Sequence, residues 1–227
     1  LPVSLSFFFS FFILIFLFNT LIAKAEREIK YIDSEIRNGI IYSKNEKIPY
    51  NGLIKDYYKN GNVKIEWTIV NGAQNGVAKS YYEDGTLKSD SIFKNNKKNG
   101  IEKMYSLDGK LVAEVPYKDE IRDGIEKQYS KNGKIIVEIS FKNGIEDGAF
   151  KQYYENGVLE IEAFYKNGKL EGLRRDYYKS GKLEVEGLQK NGKPDGWTYV
   201  YNEDGSLKKE IFFIEGKAYE KDNNKKK

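Results

Sequence analysis

Seven acidic side chains recur at one spacing: Glu66, Asp90, Glu114, Glu138, Glu162, Glu186 and Glu210 stand 24 residues apart. Evenly spaced carboxylates could hold metal ions or act as general acids and bases. The composition offers them little help. There is no His and no Cys, which removes imidazole bases, histidine and thiolate metal ligands, thiol nucleophiles and disulfides. If each repeat is two strands, neighbouring carboxylates lie roughly 9.6 Å apart, too far to share an ion. A catalytic pair needs two carboxylates set apart by environment, and a strict repeat sets none apart. The column reads instead as charge pairing on a solvated face. Its partners would be Lys64, Lys88 and Lys208, with Lys94, Lys118, Lys142, Lys166 and Lys190 further along each unit. No phosphate-binding glycine loop or serine elbow is found. No catalytic, cofactor-binding or metal-binding residue is assigned, and no cofactor is implied.

Tyrosines are the other candidates. Tyr57, Tyr81, Tyr105, Tyr129, Tyr153, Tyr177 and Tyr201 form a column with the same period. So regular a column on an apolar face is what packing produces. A second tyrosine follows in four units, as Tyr58, Tyr82, Tyr154 and Tyr178, where Ser106, Ser130 and Asn202 stand elsewhere. A position that accepts Ser is not a core position. These four are therefore read as exposed partner-binding candidates, two pairs toward the two ends of the array.

The elements that position these residues follow from the repeat. Gly52, Gly76, Gly100, Gly124, Gly148, Gly172 and Gly196 lead seven 24-residue units without an insertion. A second glycine column runs from Gly61 to Gly205 and an aliphatic one from Val63 to Leu207. Glycines this frequent break helices, and short Tyr- and Ile-rich segments between Asn-Gly or Asp-Gly pairs read as strands. A three-residue loop, a type I turn closed by a left-handed Gly, separates apolar from polar positions where a two-residue turn would not. In the fourth unit that parity buries Ile125, Tyr129, Ile135, Val137, Ile139 and Phe141, and exposes Glu126, Gln128, Ser130, Lys134 and Glu138. A basic residue third after most lead glycines (Lys55, Lys79, Lys103, Lys127, Lys151, Arg175) is the exception to it. The expected fold is all-β, an elongated antiparallel β-meander of seven 24-residue hairpins, on the order of 65 Å long. Residues 52–219 carry the repeats, 26–51 read as an N-terminal cap, and 220–227 as a disordered polar tail.

The run Gly148-Ala149-Phe150-Lys151-Gln152-Tyr153-Tyr154-Glu155-Asn156-Gly157 resembles the variant class of MORN repeats. That resemblance covers about three quarters of the chain. It implies a repeat scaffold, linked in the wider class to membrane or lipid association and in bacterial proteins to antitoxin or immunity roles.

The apolar run Phe7–Phe18, broken only by Ser10 and followed by Ala23-Lys24-Ala25, reads as a signal peptide over 1–25. An uncleaved membrane anchor is the alternative. Either reading places the remainder outside the cytoplasm. The net charge of +4, from 38 basic and 34 acidic residues, argues against a nucleic-acid partner. Lysines could touch anionic lipid, but acidic residues are interleaved with them. The sequence thus predicts an exported, non-enzymatic binding surface for another protein, with a toxin neutralised by direct binding as the alternative.

Overall fold

A computed structural model describes residues 27–219. The expectations of a signal peptide and of a polar tail fall on residues outside that span. Each unit contributes two principal strands, as in Gly52–Tyr57 with Val63–Val70 and Gly124–Tyr129 with Ile135–Lys142. From Gly52 onward each principal strand pairs with its chain neighbours, so the units join into one long, almost wholly antiparallel sheet. The parallel exception is at the N-terminal edge, where Glu28–Lys30 lies along Leu53–Lys55.

Two kinds of turn alternate. Within each unit, Gly61 N–H donates to Tyr58 O at 3.0 Å and Tyr58 N–H to Asn62 O at 2.8 Å, leaving a three-residue loop closed by Gly61 at φ +90°. All seven units repeat this pair of bonds, and the expected turn is correct. Between units the link is a two-residue turn with both central residues left-handed, as at Asn71 (φ +52°) and Gly72 (φ +74°). That is a type I′ hairpin, whose twist matches that of the strands.

The expected parity holds for the second strand of each unit, where Val115, Phe141 and Ala163 are buried, and fails for the first. Tyr57 pairs with Val63 as a three-residue loop requires, but Asp56 pairs with Ile65, leaving Lys64 as an extra residue. The same one-residue bulge recurs in every unit. It exchanges the two faces beyond that point. Ile125, expected in the core, is 54% exposed, while Glu126, expected in solvent, is 8% exposed. Glu126 lies opposite Ile139, and Lys127 opposite Glu138. One face therefore gathers Ile54, Ile69, Ala78, Val115, Phe141 and Ala163, all buried. The other carries the basic, acidic and first-tyrosine columns.

The N-terminal segment closes the inner face of the first unit. A hairpin of Ser34–Arg37 and Ile40–Ser43 packs there, tied by Ile41 N–H to Gly72 O at 2.9 Å. Tyr50, Ile54 and Ile69 form the buried cluster beneath it, with Ile29, Ile41 and Trp67 around them. Tyr50 is wholly buried because its hydroxyl finds Arg27 O at 2.7 Å.

Candidate functional site

The bulge turns the outer face into an ordered surface. Lys55, Glu66, Lys79, Asp90, Lys103, Glu114, Lys127, Glu138, Lys151, Glu162, Arg175 and Glu186 stand directly opposite one another in that order, strand after strand. The basic residues that broke the expected parity are thus the partners of the acidic column, and the lysines expected in that role are not. Arg175 Nε reaches Glu186 at 2.7 Å, and Lys79 lies 3.7 Å from Glu66. A single exposed pair of this kind contributes about 0–1 kcal/mol, so alternation matters more than any one contact. In the last unit Tyr199 takes the basic position, between Glu186 and Glu210.

First-column tyrosines lie beside this ladder, because the bulge brings them to the acidic face. Tyr81 donates to Glu66 at 2.9 Å, Tyr129 to Glu114 at 2.7 Å and Tyr153 to Glu138 at 3.0 Å. Each bond joins one unit to the preceding one. Burial first, and then the accepting carboxylate, push these three hydroxyls up to about 12. They are stapled donors rather than proton-transfer groups.

On the far side of the ladder runs an uncovered apolar stripe. It is built from cross-strand pairs: Val77 with Ile92, Leu173 with Leu188, Trp197 with Phe212, and Ala149 with Phe164. Ile101 and Ile125 continue it through the middle units. Trp197 and Phe212 are in ring contact at 5.0 Å. Lead glycines allow the stripe to lie flat across the links, since a Cβ on Gly148 would come within 2.7 Å of Ser140 Cβ. The sequence pattern did not reveal the stripe: the residues directly after the lead glycines, such as Ile125, were expected in the core, and the parity put their partners Ile92, Phe164, Leu188 and Phe212 on the opposite, polar face. The available signal was the basic column itself, three residues after each lead glycine.

The second tyrosines sit elsewhere. Tyr58, Tyr82, Tyr154 and Tyr178 lie at the three-residue-loop edge and are half-buried, not exposed as expected. Their hydroxyls donate to the backbone carbonyls of Tyr81, Tyr105, Tyr177 and Tyr201 at 2.8, 2.9, 2.7 and 2.8 Å. Each ring thereby leans over the next unit. Lys88 lies 5.6 Å from the Tyr82 ring centre and Lys179 5.8 Å from that of Tyr154. Ser106 and Ser130 are too short to reach, so the third and fourth units lack this link to the next.

Among the described residues no cluster of three or more acidic side chains could hold a metal ion. Among these residues, too, no helix is long and apolar enough to cross a membrane.

The MORN repeat variant family model matches six consecutive segments, 50–71, 74–95, 98–119, 122–143, 146–167 and 170–191, together more than half of the sequence. The chain belongs to the MORN repeat variant family. Each matched segment spans one three-residue loop and ends at a link turn, so the family's repeat is the hairpin seen here. The seventh unit, Gly196 onward, lies beyond the matched segments yet has the same loop, bulge and pairing. Families of this kind are in general non-catalytic repeats. Among curated proteins none matches the chain.

Proposed function

We propose that this MORN repeat protein is an exported, non-enzymatic scaffold whose outer sheet face binds another protein. The observation that carries the reading is the apolar stripe. Eight of its large side chains are exposed, leaving roughly 600 Å² of apolar surface, at or above the largest patch of an ordinary monomer. The charge ladder beside it supplies orientation and encounter rate, while the apolar groups supply affinity. A repeat fold suits an extended ligand surface because each unit adds the same contacts one step further along. An antitoxin or immunity role is the special case in which the ligand is a toxin, and the same face would serve it. Tyr58, Tyr82, Tyr154 and Tyr178 remain proposed contacts at the margin, each with part of its ring open to solvent.

The experiment is affinity capture from the native source with two baits, the wild type and a Leu173→Lys/Leu188→Glu variant. Both substitutions fall on exposed positions, so the variant should keep its circular dichroism spectrum. Support is a protein captured by the first bait and lost from the second. Equal capture by both would set the stripe reading aside. Export is tested separately by N-terminal sequencing of the natively made protein, which should begin at Glu26.

A further inference from the structure

The hairpin that covers the first unit leaves a cavity of about 200 Å³ against the inner face of the sheet. Its walls are apolar, chiefly Ile36, Ile41, Ile54, Trp67 and Ile69, with Tyr31 standing 5.7 Å from the Trp67 ring. One wall is Gln74, and its Nε2 is buried without a hydrogen-bond partner. A buried donor left unpaired is costly, and native structures rarely keep one without a reason. The corresponding residue in the fifth unit is Leu170, so the repeat itself does not ask for an amide here. Only the first unit has both the amide and the covering hairpin.

We propose that this cavity is a binding site for a small apolar molecule carrying one carbonyl acceptor, a ketone, ester or amide. The volume admits a single ring with a short substituent, since cavities near 150 Å³ lined by such side chains take up benzene. The apolar walls take the body of the molecule. The terminal torsion of a glutamine is broad, so the amide can turn its N–H toward the carbonyl. A charged ligand is disfavoured because no ionisable side chain lines the cavity apart from Tyr31. This site is on the opposite face from the stripe and does not rest on the protein-binding reading.

The test uses acetophenone and ethylbenzene, which share a shape and differ by the carbonyl. They are titrated into the ¹⁵N-labelled full chain while the Trp67 indole and Gln74 side-chain amide resonances are followed. Trp197, at the other end of the array, is the internal control. Acetophenone should shift Trp67 and Gln74 saturably and leave Trp197 in place. Ethylbenzene should bind about tenfold more weakly, the factor one buried hydrogen bond supplies. Gln74→Leu should bind the two probes alike. The proposal is overturned if acetophenone gives no saturable shift, if the wild type binds both probes equally, or if Gln74→Leu keeps the preference. Should Gln74→Leu fail to fold, the wild-type comparison alone decides.

Discussion

Replacing Tyr154 separates a structural role for the second tyrosines from a binding one. In Tyr154→Phe the ring stays and only the 2.7 Å bond to Tyr177 O is lost, which should cost about 1 kcal/mol. Tyr154→Ser also removes the ring. A half-buried tyrosine ring covers roughly 100 Å² of apolar surface, or about 2.5 kcal/mol at 25 cal/mol per Å². The Ser variant should therefore lose about 3.5 kcal/mol in all. The loss should be local, because each unit contacts only its neighbours. Native-state hydrogen exchange reads it as faster exchange in Gly172–Tyr177 and Leu183–Lys190, with Gly52–Tyr57 at the other end unchanged. The reciprocal change is Ser130→Tyr, which places a hydroxyl within reach of the Tyr153 carbonyl and should slow exchange in the fifth unit. If Tyr154→Ser shifts local stability by less than about 0.5 kcal/mol, the scale of an uninvolved surface site, the staple argument fails.

Two further outcomes follow from the same geometry. Tyr81, Tyr129 and Tyr153 titrate near 12 against an ordinary value of 10.0, so the fold favours their protonated form. Their contribution is fully present below pH 10 and lost as pH rises through 12, and Tyr129→Phe should flatten this alkaline loss in thermal unfolding. Gly148→Ala should destabilise the fourth and fifth units by several kcal/mol, since φ is +128° and the new Cβ would strike Ser140. Urea unfolding followed by tyrosine fluorescence would show it, and a neutral result would mean the link is not as tight as drawn.

The repeat, the strands and the three-residue loop were legible because glycine and Asn-Gly pairs announce backbone conformations that other residues resist. The bulge was not. Its extra residue is Lys64, Lys88, Val112, Ile136, Glu160, Glu184 or Lys208, a series with no common chemistry. Choosing the face by separating apolar from polar assumes one face is dry and the other wet. A single-layer sheet relaxes that rule, so Ile125 can face water and Glu126 can be buried beside Arg122, its Oε2 3.1 Å from the guanidinium. The second tyrosines were located on the correct strand ends, but their exposure was overestimated. The carbonyl that each one reaches belongs to the next unit, and that contact exists only once the hairpins stack.

The claim that the outer stripe is the protein-binding surface is tested most directly by hydroxyl-radical footprinting of the captured complex. Val77, Ile92, Ile125, Leu173, Leu188 and Trp197 should lose reactivity when the partner binds, while Met104 and Tyr117 keep theirs. Met104 and Tyr117 sit on the inner face, two residues each from Glu102 and Val115, a cross-strand pair there. Protection of Met104 and Tyr117, with the stripe still reactive, would contradict it.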